Sequence, residues 1–294
     1  MLNLRGGTSK VHYWLAGGAC VLLAAAAARH ALFLAVESGA FEPKPASAAG
    51  ALTPDQLGAP SRQFAFASGA RMLRASCVQA QRADAPALLI YHGDEENLSD
   101  WAGAQALLFR QGIASCVFDY SGYGASGGKP GVRNLREDGM AAYGQFVAAT
   151  PHAARRYVMG FSLGSGALLD VAGALRPAPA GMVIAAGFTS AREAAVVTGR
   201  VPAWIARLLP EPWDNEDRLR NSRLPVLFVH SRDDEVIPFA HAERLAQAAA
   251  GARRLVALAA LPHDAAIEPA GQAAFWAPIV DYLRSGRLGG AAGN

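Results

Sequence analysis

The chain has 294 residues, 52% of them apolar and 17% charged, with 27 Lys and Arg against 24 Asp and Glu. That apolar content excludes a disordered chain, which has too little to bury. A net charge of +3, evenly spread, is too small for the electrostatic footprint of a nucleic-acid binder. Cys20, Cys77 and Cys116 have neither metal-ligand nor C-x-x-C spacing. Cys77 and Cys116 lie in apolar runs, where a free cysteine acts as a small hydrophobe. An odd, low count argues against a disulfide scaffold.

Val11 to Val36 is apolar apart from His12, Arg29 and His30. Continued to Val36, the run is long enough to span hydrocarbon, with Arg29 snorkelling and Tyr13–Trp14 at an interface. Arg5 and Lys10 precede it, which predicts that the amino terminus stays inside and the main domain is exported. The run therefore reads as a single-pass anchor over residues 1–36. A cleaved signal ending at Ala46-Ser47-Ala48 and a buried or amphipathic helix are alternatives. Residues 37–61, with Pro43, Pro45, Pro54 and Pro60 among alanines and glycines, read as a linker with little to pack. The main domain is expected over residues 62–285, with a tail at 286–294.

From Arg62 the periodicity alternates. Gln63–Ala67 and Met72–Gln79 predict an antiparallel pair. Short apolar strands are then predicted at Ala87–Tyr91, Ser115–Tyr120, Tyr157–Phe161, Met182–Ala186, Pro225–His230 and Arg254–Ala259. Helices fall between most of them, at Ser99–Gln111, Leu135–Ala149, Leu163–Leu175 and Phe239–Ala250, and at Gln272–Leu283 after the last strand. Strands alternating with helices imply an α/β fold whose mostly parallel sheet is covered on both faces. Sites in such sheets sit at the carboxyl ends of the strands.

Gly160-Phe161-Ser162-Leu163-Gly164 has the form G-x-S-x-G, with a strand leading in and a helix leading out. That context marks a sharp elbow presenting a nucleophilic Ser162 at a helix amino terminus. Gly160 and Gly164 sit where side chains would crowd the turn. A second match, Gly124-Ala125-Ser126-Gly127-Gly128, runs into Lys129-Pro130-Gly131, which is turn chemistry. Ser126 is therefore expected in a loop at the rim of the site.

A serine nucleophile needs a base, and the base needs an orienting carboxylate. Asp233 and Asp234 follow the strand Pro225–His230, and His263 follows the last strand. Of the seven histidines, His92 and His230 are expected to shape strand ends and His241 to face out on a helix. Tyr91-His92-Gly93-Asp94 follows the first parallel strand, so the main-chain N–H groups of Asp94 and Leu163 are the expected oxyanion donors. Glu95 and Glu96 extend Asp94 into an acidic run whose field would disfavour anionic substrates and raise the base's pKa.

The ordered set His92-Gly93, Asp119-Tyr120-Ser121-Gly122-Tyr123-Gly124-Ala125-Ser126, the Ser162 elbow, Gly187-Phe188-Thr189-Ser190, His230…Asp234-Glu235-Val236-Ile237-Pro238 and His263 resembles the α/β-hydrolase superfamily. More narrowly, it resembles the membrane-anchored serine hydrolases related to protein depalmitoylases and serine aminopeptidase-like hydrolases. The resemblance covers about Arg62 to Leu283. It implies an α/β-hydrolase fold with an eight-stranded, mostly parallel sheet, a Ser162–Asp234–His263 triad and no cofactor. The aspartate directly before the Glu-Val-Ile-Pro run is the acid in that branch, which favours Asp234 over Asp233. The chain departs at Asp94, where a neutral residue is usual, and at Ser121, where arginine is common. The reaction expected is cleavage of an ester or thioester of a small-molecule or lipid-like acyl substrate. A peptidase with the same triad and a silent binding module are the alternatives. Ala191 to Asn221 is a candidate small cap, with Val201, Trp204, Ile205, Leu208 and Leu209 as its candidate apolar face.

Overall fold

The computed structural model describes residues 8–46 and 51–289. Eight strands, β1 (Ser61–Ser68), β2 (Arg71–Val78), β3 (Ala87–Tyr91), β4 (Ala114–Asp119), β5 (Arg156–Phe161), β6 (Gly181–Ala185), β7 (Val226–Ser231) and β8 (Arg253–Leu258), form one sheet in the order β1-β2-β4-β3-β5-β6-β7-β8. Only β1–β2 and β2–β4 pair antiparallel. The remaining neighbours are parallel, so the carboxyl ends of β3 to β8 share one edge of the molecule.

The central strands are apolar on both faces because both faces are covered. On β3, Leu89 and Tyr91 enter one core with Leu135, Tyr143, Phe146 and Leu168, whereas Leu88 and Ile90 enter another with Trp101, Leu108, Trp276 and Ile279. Helices α3 (Val132–Ala149) and α4 (Leu163–Val171) cover the first face, and α2 (Ala102–Arg110) and α9 (Pro269–Ser285) the second. The buried stripe of α3, Leu135, Gly139, Ala142, Tyr143 and Phe146, has the i, i+4, i+7 spacing of a single helical face. Helix α8 (Ala240–Ala248) precedes β8.

One expectation about cysteine is overturned. Cys77 and Cys116 are directly opposed on β2 and β4 and form a disulfide. The two strands are distant in sequence, and only their antiparallel register makes the thiols neighbours. The bridge closes a separation of 39 residues. Replacing both cysteines by alanine should cost about 2–4 kcal/mol and lower Tm by roughly 5–10 °C, read by thermal melting with and without reductant.

The amino-terminal helix α1 spans Thr8–Ser38. The side chains of residues 8–18, 20 and 21, much of the apolar run, lie outside the described residues, as do Ser47 and Ala48 of the candidate cleavage site. Among the described residues no helix is long and apolar enough to cross a membrane. The last turns of α1 pack on the α/β domain. Leu32, Phe33 and Val36 meet Val201, Ala206 and Leu209, and Arg29 donates to the carbonyls of Leu208 (2.9 Å) and Leu209 (3.3 Å).

Residues 37–46, read from sequence as linker, are also tied down. Phe41 is buried with its ring edge-on to Trp213, and Glu37 accepts from the Val132 amide. Pro45 bridges to Gly124, and Lys44 pairs with Asp100 at 2.6 Å. Composition missed this because a single aromatic and two charged groups suffice to anchor an extended strand of chain.

The segment Ala191 to Asn221 holds α5 (Ala191–Val197), α6 (Ala203–Ala206) and α7 (Asn215–Arg220). Its expected apolar face is split. Val201 and Leu209 are buried, but Trp204 and Leu208 are 67% and 53% exposed.

Candidate active site

β5 runs into Ser162, whose φ of 50° and ψ of −119° turn the chain directly into α4. Two close approaches explain the flanking glycines. A Cβ on Gly160 would lie 2.5 Å from the Gly164 carbonyl oxygen, and one on Gly164 would lie 2.0 Å from the carbonyl oxygen of Tyr91. Both distances are impossible for real atoms, so any side chain would push α4 off the sheet.

Three loops converge on this elbow. His263 Nε2 stands 3.0 Å from Ser162 Oγ, and its Nδ1 lies 2.9 Å from both carboxylate oxygens of Asp234. Asp234 Oδ1 also accepts from the amides of Val236 (3.0 Å) and Ile237 (2.8 Å). Burial would raise the Asp234 pKa. Hydrogen bonds from His230 and His263 outweigh it and hold the carboxyl well below the usual range. Asp233, by contrast, is exposed and accepts from the Ala260 amide. The arrangement can therefore take a proton from Ser162 and stabilise the imidazolium that forms.

The second wall is the turn after β3. Burial holds His92 neutral, with its pKa pushed down to about 4. Its Nδ1 lies 2.7 Å from the Gly93 carbonyl, to which it donates. Because the peptide is planar and trans, pinning that carbonyl directs the Asp94 N–H away from the His92 ring. Asp94, Ser162, Leu163 and His263 line one cavity of about 390 Å³. Its apolar lining includes Phe33, Phe41, Phe188, Leu209, Trp213 and Ile237.

The expected acidic field at this mouth is corrected by two groups. Arg200, from the loop between α5 and α6, lies 3.1 Å from Asp94 and 3.9 Å from Glu95. Glu96 is buried, and its Oε2 accepts from the Gly93 amide and from Trp101 Nε1, both at 2.7 Å. Burial pushes its pKa up to about 8, so it is largely uncharged at neutral pH. A carboxyl whose pKa is raised on folding adds stability below its unfolded value, near 4.5, and loses that contribution as pH rises toward 8. Glu96→Gln should keep the acceptor without the ionisation. Its Tm relative to the parent should rise by several degrees between pH 5 and pH 9. A constant difference across that range would show that folding does not raise the Glu96 pKa.

Two other sequence readings change. His241 is buried, and its Nδ1 lies 2.8 Å from Thr189 Oγ1, because α8 turns this residue toward the loop after β6. Ser126 does not line the site. Its hydroxyl donates to the Asp119 carbonyl and accepts from the Arg74 amide, stitching its loop to β2. Sequence reasoning also missed His230 as a partner of the acid. Its Nε2 lies 3.3 Å from Asp234 Oδ2 and 2.8 Å from the Ile237 carbonyl. The four-residue spacing from Asp234 was the available signal.

Comparisons with known proteins bear on the fold and the family. A family model described as serine aminopeptidase S33 matches residues 81–216, and one described as TAP-like protein matches residues 203–292. An uncharacterized protein of Mycobacterium tuberculosis is 29% identical over 181 residues, which is 61% of this chain and 63% of that protein. Human alpha/beta hydrolase domain-containing protein 17B is 30% identical over 163 residues, 52% of each chain. The chain thus matches about half to two thirds of the length of these relatives. The solved structure of a Pyrococcus furiosus esterase aligns with a TM-score of 0.63 at 17% identity, covering 84% of this chain and 98% of that one, a likeness of fold. With its sheet order, its strand–Ser162–helix elbow and these matches, the chain belongs to the α/β-hydrolase superfamily.

Proposed function

We propose that this protein is a serine hydrolase that cleaves a carboxylic ester or thioester through an acyl-enzyme. Ser162 Oγ attacks the carbonyl carbon while His263 Nε2 takes its proton. The N–H groups of Asp94 and Leu163 receive the developing oxyanion. His263 then returns the proton to the leaving alcohol or thiol, and water, activated by the same imidazole, releases the acid. The observation that carries the reading is the 3.0 Å approach of His263 Nε2 to Ser162 Oγ on the floor of an apolar cavity. The aromatic and aliphatic lining favours a lipid-like acyl group. A chain-length series of p-nitrophenyl esters and acyl thioesters tests this. Turnover should rise from acetyl toward medium chains, and a flat series would count against an acyl pocket.

The serine aminopeptidase description of the matched family favours a second reading, a peptidase using the same three residues. An aminopeptidase needs a free carboxylate for the substrate ammonium. Asp94 and Asp100, which line this cavity, are already paired with Arg200 and Lys44, whereas Asp264 on the same lining is exposed and has no ion-pair partner among the described residues. Aminoacyl amides in the same substrate panel separate the two.

We also propose that the hydrolase domain lies outside the cytoplasm, attached through the apolar run Val11–Val36. The basic residues before that run and the Cys77–Cys116 bridge support this reading, since disulfides persist in oxidising compartments. Retention on membranes after a carbonate wash tests attachment. A mature protein beginning near residue 49 would instead indicate a cleaved signal.

A further inference from the structure

The turn that supplies the Asp94 N–H is built against its own local preference. Glu95 adopts a φ of 58°, a left-handed conformation that costs a non-glycine residue free energy and persists only when its surroundings hold it. His92 and Glu96 grip the Gly93 side of the turn, through its carbonyl and its amide. The Asp94 side is gripped by elements remote in sequence. Asp94 Oδ1 accepts from the Glu42 amide at 2.9 Å and from the Tyr123 hydroxyl, and its Oδ2 accepts from Arg200 Nη2 at 3.1 Å. Arg200 Nη1 also reaches Glu42 Oε1 at 2.9 Å and the Ala40 carbonyl at 3.1 Å.

One guanidinium in the cap loop therefore joins three pieces of chain. They are the arm at residues 40–42, the turn carrying Asp94, and the cap itself. Its rigid planar fork presents donors in two fixed directions at once. Both partners are largely shielded, with side-chain exposures of 23% for Arg200 and 17% for Asp94.

We infer that Arg200 is a positioning residue that, through Asp94, sets the oxyanion N–H of the turn and couples its geometry to closure of the cap and the amino-terminal arm. The inference rests on the serine-hydrolase reading of Ser162 and His263. Arg200 needs no contact with substrate to act. Its loss would let the strained Glu95 backbone relax and rotate the Asp94 amide off the reacting carbonyl oxygen. The affinity for the acyl group, supplied by Phe188, Leu209, Trp213 and their neighbours, would stay the same.

The test compares steady-state kinetics of the full chain and its variants on one p-nitrophenyl ester, with thermal melting as a control for folding. Arg200→Ala should lower kcat by about 10- to 100-fold with KM within about twofold, the pattern of an interaction made only in the transition state. Arg200→Lys should recover part of the loss. Asp94→Ala keeps its main-chain N–H and should lose kcat similarly, and Arg200→Ala/Asp94→Ala should be little worse than either single change. Tyr123→Phe, which weakens the same grip from another side, should cost a smaller part of kcat and serves if Arg200→Ala does not fold. Wild-type kcat in Arg200→Ala, a loss confined to KM, or additive losses in the double variant would overturn the inference alone. Wild-type protein without Ser162-dependent turnover would overturn the hydrolase reading and the inference with it.

Discussion

Ser162→Ala is expected to lower turnover by about 10⁴-fold or more and to abolish labelling by a fluorophosphonate. The hydroxyl at 162 lies 3.0 Å from His263 Nε2, and the strained backbone of the elbow aims it into the cavity. Alanine adopts the same φ of 50° about as readily as serine, so the fold should be preserved and the loss should be chemical. Ser126→Ala is the control. It removes two hydrogen bonds that fasten a loop to β2 and to the end of β4, so it should cost about 1 kcal/mol of stability while labelling and turnover persist. A labelled peptide that maps to Ser126 would overturn the assignment of the nucleophile.

Asp234→Asn is expected to reduce kcat by about 10⁴-fold. The carboxylate faces His263 Nδ1 with both oxygens at 2.9 Å, while Oδ1 is also committed to the amides of Val236 and Ile237. Asparagine can satisfy those amides only by turning its NH₂ toward the imidazole. His263 must then accept at Nδ1 and carry its proton on Nε2, which leaves Ser162 without a base. Asp233→Asn should change kcat by less than about threefold, because Asp233 accepts from the exposed Ala260 amide and does not reach His263. Steady-state kinetics of the two variants on one ester checks both, and a reversal of their effects would move the acid to Asp233.

How far the sequence reached depended on the range of the forces involved. The strands from Ala87–Tyr91 onward, the antiparallel opening pair and the elbow were legible because each is a local matter. Apolar runs of five or six residues mark strands buried on both faces, and Gly160 answers a steric demand from the Gly164 backbone four positions on. The order of Ser162, the paired aspartates and His263 along the chain was legible for the same reason, since each follows a recognisable strand. The choice of Asp234 came from resemblance, because neighbouring aspartates look alike until the loop is folded and one side chain faces His263.

Other features depend on contacts across long stretches of chain. Cys77 and Cys116 become partners only when β2 pairs with β4 in one register. Glu96 loses its charge only when Gly93, Trp101 and the sheet enclose it. The supposed linker became a wall of the cavity because Phe41 found Trp213, and the acidic mouth was compensated because Arg200 arrived from more than a hundred residues away. Periodicity and motif spacing record what neighbours along the chain require of each other. Burial and charge pairing belong to neighbours in space, and only the tertiary structure chose those.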